Sequence, residues 1–160
     1  VSFVSSSHIL DFCRGLDSER RVSCQAIHYW TEVKGHDRLP RLKAINFTDV
    51  PELRDNLFTV ATGNGGGRFI VLSYGKVLRD VCGEDPRGQT LYEALPEPLN
   101  GSAVECCVTA IDTHQPMIGA GTLILENNRE IMYRMIILPL SDDGKAVDHL
   151  IGALSFRVME

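Results

Sequence analysis

The residues of this chain that could do chemistry are few, and most stand apart. Cys106 and Cys107 are neighbours in a stretch with helical spacing, and consecutive side chains on a helix project about 100° apart. Two thiols so placed cannot jointly grip one tetrahedral metal ion without distortion, so the pair is read as one core side chain and one partly exposed. No His-x-x-Glu-His, Cys-x-x-Cys or carboxylate ladder occurs, and no metal site is expected. An acid-base or nucleophilic centre would have to gather Tyr133, Asp148, His149 or Ser155 in one concavity. Asp148 and His149 adjoin at a strand start, which should send them to opposite faces and weakens them as a pair. Gly63-Asn64-Gly65-Gly66-Gly67 could cradle a phosphate, but no Lys-Ser or Lys-Thr follows and the next run is strand-like; it reads as a hairpin turn. Arg134 interrupts an apolar strand, where it either meets an anionic ligand or lays its stem along the surface and points outward. No catalytic residue is assigned.

The composition narrows the class. At 160 residues, with 44% hydrophobic and 23% charged residues, the chain can bury a core without disulfides. A net charge of -5 gives no footprint for nucleic acid, apart from a small basic patch around Arg38, Arg41 and Lys43. No apolar run approaches the roughly 20 residues of a membrane helix. The five cysteines are irregularly spaced and no secretory signal is visible, so reduced thiols and a cytoplasmic location are expected.

The elements that must position these side chains can be read along the chain. Residues 1–16 are taken as an N-terminal tail, and no structure is forced on Val1 to Ser7. Residues 17–36 carry an amphipathic helix starting at Asp17-Ser18-Glu19, with Val22, Ala26, Tyr29, Trp30 and Val33 as its apolar stripe. Residues 45–158 form the domain proper. Asp49-Val50-Pro51-Glu52 predicts an N-cap and a short helix ending near Asn56. Leu57 to Thr62 and Arg68 to Tyr74 read as a hairpin about an Asn-Gly turn. Broken helical pieces follow between Gly75 and Leu99, then a helix from Ser102 to Thr113 stopped by Pro116. Met117 to Leu125 is a strand, Asn127-Asn128 a turn, and Arg129 to Met159 a hairpin about Asp143-Gly144. Neither arm of that hairpin alternates cleanly, which predicts that both its faces are covered.

A candidate ligand cup follows from the faces. Val104, Cys107, Val108 and Ile111 share the predicted helix stripe, and Leu150, Gly152, Leu154 and Phe156 share one face of the last strand. Small residues at Gly119, Ala120 and Gly121 leave room either for a ligand or for close helix packing. With Thr122 and Arg134 these residues are the candidate pocket lining; core packing alone accounts for all of them and is the favoured reading over a ligand cavity.

This order of elements resembles the PAS domain family, a five-stranded antiparallel sheet cupping a helical side. Gly83-Glu84-Asp85-Pro86-Arg87-Gly88-Gln89-Thr90-Leu91 looks like that family's G-x-D-x-x-G-x-x-L crossover, and Leu138-Pro139-Leu140-Ser141-Asp142-Asp143-Gly144 like its final hairpin turn. His28-Tyr29-Trp30, Leu39-Pro40 and Val50-Pro51 further resemble a bacterial group of small single-domain PAS-like proteins. The resemblance covers about Ile45 to Val158 and implies an α+β fold with a helical crossover and an N-terminal capping helix.

It also implies signal sensing or protein interaction without catalysis. An unidentified small organic ligand, a partner signalling protein, and a homodimer formed through the N-terminal helix are the expected associations. No cofactor is expected: Asp80-Val81-Cys82-Gly83 lacks the Asn-Cys-Arg-Phe-Leu-Gln setting of the flavin-binding relatives, and Cys82 reads as a small apolar filler. His114, at a helix C-terminus, reads as a surface cap rather than a haem ligand. Two other functions stay open, a small α+β isomerase or hydrolase using Tyr133 and an acid such as Asp112, and a dimerisation adaptor with a filled core.

Overall fold

The computed structural model describes residues 3–4, 19–63 and 68–158. The elements are β1 (Phe3–Val4), α1 (Glu19–Lys34), β2 (Leu57–Thr62), β3 (Phe69–Tyr74), α2 (Lys76–Cys82), α3 (Leu91–Ala94), α4 (Leu99–Thr113), β4 (Met117–Leu125), β5 (Glu130–Leu140) and β6 (His149–Val158). They build one sheet in the order β1-β4-β5-β6-β2-β3. All neighbours run antiparallel except β1, which lies parallel to the end of β4, with Phe3 beside Ile124. The five long strands are those expected from the sequence. The two-residue β1 lies within the expected N-terminal tail; the rest of residues 1–18, including the Asp17-Ser18 helix start, and the Asn-Gly turn at 64–67 lie outside the described residues.

The β2 and β3 runs are separated from β4, β5 and β6 by the helical crossover, so chain order and sheet order differ. The β2 strand lies between β3 and β6, joining the strands before the crossover to those after it. The crossover is tied to the edge of β3: Gly88 N–H donates to the Val71 carbonyl and Val71 N–H to the Gln89 carbonyl, both at 2.9 Å. Thr90 then caps α3, its hydroxyl accepting from Glu93 N–H at 3.2 Å. Helix α4 ends at His114, whose left-handed φ of 60° breaks the helix two residues before Pro116.

Two local expectations are corrected. The short helix after Asp49 is absent; 3-10 turns at Phe47–Asp49 and Arg54–Asn56 stand in its place. Asn46 is the cap, its Oδ1 accepting from Thr48 N–H at 3.0 Å. Leu53 is drawn into the core and the Asn56 side chain donates to the Leu154 carbonyl at 2.9 Å, so tertiary contacts set the path here rather than helix propensity. The β5–β6 connection is also longer than an Asp-Gly turn. Leu140 pairs with His149, and residues 141–148 fold around Asp143, whose Oδ1 accepts from Ser141 Oγ, Lys145 N–H and Ala146 N–H at 2.9, 2.7 and 3.1 Å. Gly144 takes the left-handed φ of 75° that this loop needs.

The core lies between α2, α3, α4 and one face of the sheet. Phe58, Phe69, Leu78, Leu91, Leu99, Leu123, Ile131 and Met135 are fully buried there. Helix α1 packs on the other face of β5 and β6. Both faces of the last hairpin are therefore covered, as its unalternating sequence requires.

Candidate functional site

Helix α1 is held on the sheet by specific polar contacts as well as by its apolar stripe. Its stripe places Ala26, Tyr29 and Trp30 in the interior and leaves Val22 and Val33 half-buried at its edges. A buried indole N–H needs an acceptor. It finds one in the Pro139 carbonyl at 2.8 Å. Pro139 can stand in β5 because pairing with β4 begins only at Ile137, so the missing N–H breaks no bond to that strand. Tyr29 fastens the other side of the helix: its hydroxyl donates to the Asn46 carbonyl at 3.1 Å and accepts from Asn46 N–H at 2.8 Å. Burial pushes the Tyr29 phenol above its ordinary value. Neither Pro139 nor Asn46 was among the sequence candidates. A proline inside an apolar strand was the available signal for the first, and Asn46 carried none.

The opposite face was the expected ligand cup, and it is occupied by side chains. The Phe58 ring lies directly on Gly152, its cross-strand partner, where a side chain would collide with it. The Tyr133 ring covers Gly121 in the same way, with its hydroxyl 2.7 Å from where a Cβ would stand. Helix α4 closes on Gly119, placing Ser102 Oγ and Cys106 Sγ 2.8 and 3.0 Å from the position of a Cβ. The small residues of β4 thus make room for aromatic rings and for a close helix.

The candidate lining residues divide between places. Cys107, Leu150, Gly152 and Leu154 are buried on the inner side. Val104 and Ile111 are half-buried, and Val108 is 40% exposed. The predicted α4 stripe is therefore rotated: Leu99, Ala103, Cys106, Cys107 and Ala110 form its buried face. Ala120, Thr122 and Arg134 are corrected outright, because they stand on the outer face, with Ala120 opposite Arg134 and Thr122 opposite Met132. Arg134 is half-buried and does not enter the cup.

The catalytic candidates are not gathered. Tyr133 is buried in the core, whereas Asp112 is exposed and lines an open groove of about 420 Å³ with Arg38, Leu39, Thr113, His114 and Gln115. Asp148 and His149 do meet, contrary to expectation, because Asp148 precedes the strand; His149 Nδ1 lies 2.7 Å from its Oδ1. Asp148 Oδ2 also accepts from Asp142 N–H at 2.8 Å, and the three side chains of Asp142, Asp148 and His149 cluster at the rim of the 141–148 loop. Three of the thiols are quiet. Burial pushes Cys82 up to about 12, and raises Cys106 and Cys107 as well. A second open groove, about 610 Å³, runs between α1 and the 49–52 turn, lined by Cys24, Gln25, His28, Tyr29, Glu32, Asp49, Val50 and Glu52.

Comparison with known proteins agrees with this architecture. A family model described as PAS domain matches residues 19–155, which takes in α1 as well as the sheet. The chain belongs to the PAS domain family. Among solved structures it is similar to the PAS domain from Bordetella pertussis BvgS, at 15% identity and TM-score 0.49, over 86% of this chain and 88% of that one. It is also similar to the LOV domain of a blue-light activated histidine kinase from Erythrobacter litoralis, at 13% identity and TM-score 0.49, over 67% and 99% of the two chains. No curated protein matches. Among the described residues, no helix is long and apolar enough to cross a membrane.

Proposed function

We propose that this chain is a cytoplasmic sensory or interaction module that signals through contact with another protein, with α1 as the element that responds. The observation that carries this reading is the buried hydrogen bond from Trp30 to the Pro139 carbonyl, between residues 109 positions apart. It joins a helix made of one short stripe to the strand pair whose other face forms the core wall. A partner that favours one arrangement of the helix on β5 and β6 is thereby coupled to the whole domain. The filled inner face favours a protein over a small organic ligand as the effector, since Phe58 and Tyr133 occupy the space a ligand would take. The buried, proton-holding thiols and the separation of Tyr133 from Asp112 favour interaction over isomerase or hydrolase chemistry.

The test is crosslinked affinity capture of the full chain from its own cells, comparing wild type with Trp30→Phe and Trp30→Ala, alongside native mass spectrometry of the purified protein. A protein enriched by wild type, with recovery changed by Trp30→Ala more than by Trp30→Phe, supports the reading. An identical set with all three chains, or a stoichiometric organic molecule retained in the purified protein, overturns it.

A further inference from the structure

The Ala26, Tyr29 and Trp30 stripe of α1 is buried within its own chain, so what the helix still offers a partner is its exposed flank. Cys24, His28 and Glu32 stand there at four-residue spacing, one ridge along the outside of the helix. Across from this ridge lies the turn that carries Asp49, Val50 and Glu52, and between the two walls runs the open groove of about 610 Å³. Tyr29, which also lines the groove, ties its walls together through the Asn46 backbone at the start of that turn.

The lining carries one sign of charge. Glu32, Asp49 and Glu52 contribute three exposed carboxylates, and no lysine or arginine lines the groove. Glu32 Oε1 lies 3.0 Å from His28 Nε2, a pair that is charged on both sides only when the imidazole is protonated. Among the described residues Asp49 and Glu52 have no ion pair. The groove beside the 37–41 linker differs in this respect, since Arg38 and Arg41 line it together with Asp37 and Asp143.

We infer that the groove beside α1 docks a basic segment of the partner protein, its lysine or arginine side chains on Glu32, Asp49 and Glu52. The inference rests on the reading of α1 as the contact element and names the chemistry of what that element contacts. A cleft lined by one sign of charge concentrates the opposite charge and speeds its arrival. Val50, between Asp49 and Glu52, gives the stems of long basic side chains an apolar surface to cover while their charges stay at the rim. A segment held by both walls adds to the tie that Tyr29 makes with Asn46, and so favours the docked arrangement of α1.

The test is fluorescence anisotropy of a short labelled peptide of alternating arginine and leucine, titrated with the full chain at low salt; the same peptide with glutamate for arginine is the control. The basic peptide should bind and the acidic one should not. Glu32→Gln, Asp49→Asn and Glu52→Gln should each weaken binding about two- to fivefold, and the three together about tenfold or more, with the difference shrinking as salt is raised. Glu97→Gln, Glu105→Gln and Glu130→Gln together remove as many charges from exposed positions outside the groove and should leave binding within about twofold. Circular dichroism should show both triple variants folded. No binding by wild type, equal weakening by the two triple variants, or displacement of the peptide by spermine at equal concentration overturns the inference. Capture from cells separates it from the reading it rests on. A protein whose recovery depends on Trp30 but not on the three groove carboxylates overturns the groove alone. Peptide binding that needs those carboxylates, with no captured protein sensitive to Trp30, supports the groove and overturns that reading instead.

Discussion

The indole N–H of Trp30 donates to the carbonyl of Pro139 at 2.8 Å, in the interior. Trp30→Phe should keep most of the apolar contact but orphan that carbonyl, at a cost of about 1–3 kcal/mol. Trp30→Ala should cost about 3–5 kcal/mol, because it also leaves a cavity. Urea unfolding followed by circular dichroism measures both. Equal losses for the two variants would show that packing alone seats the helix.

Gly152 and Phe58 should prove a coupled pair. A methyl group at Gly152 collides with a buried ring that has nowhere to go, so Gly152→Ala should destabilise by about 1–3 kcal/mol. Combining it with Phe58→Leu relieves the collision, and the double variant should lose less than the sum of the singles. Thermal unfolding of the four chains checks this.

The thiols should differ sharply in reactivity. Cys24 is exposed, while Cys82 and Cys107 are held protonated by burial. Brief alkylation at neutral pH, read by peptide mass spectrometry, should label Cys24 well before Cys82 or Cys107. Comparable labelling at all three would contradict the packing of α2 and α4.

Alkali should weaken the fold by a route with a definite sign. The folded-state values of Tyr29, Cys82 and Cys107 are raised, so the unfolded chain ionises first. Their contribution is complete below about pH 9, the ordinary thiol value, and is lost as pH rises from there through about 12 for Cys82. At the acid end Asp143 is held below the usual carboxylate range, mainly by the Lys145 and Ala146 N–H groups. Its contribution to the 141–148 loop is present above the unfolded carboxylate value and lost as pH falls through the folded one. Unfolding curves at stepped pH should therefore fall at both extremes, and Cys82→Ala should flatten the alkaline limb.

Much of the fold was legible because its strongest signals are local. The strand runs Leu57 to Thr62 and Met117 to Leu125 have the bounds their composition suggests, and the α1 stripe marks its buried side. What was not legible depends on what lies across the sheet. Both faces of β4 read as apolar or small, so alternation could not say that Gly119 and Gly121 face inward and Ala120 and Thr122 outward. That choice is made by Tyr133, Cys106 and Ser102, which fill the space at the glycines. The sequence suggested room for a ligand at the right positions, but its occupants come from another strand and from α4. The α4 stripe failed for a similar reason: its β-branched residues stood out, yet small Ala103, Cys107 and Ala110 allow the close approach to the sheet.

If the seat of α1 on the β5–β6 hairpin couples that helix to the domain, hydrogen exchange on wild type and Trp30→Ala tests the coupling most directly. Undocking the helix removes cover from the outer face of both strands. Amides of α1, β5 and β6 should lose protection together in Trp30→Ala, while α4 and its inner-face neighbours keep theirs. Loss of protection in α1 alone, with β5 and β6 unchanged, would contradict it.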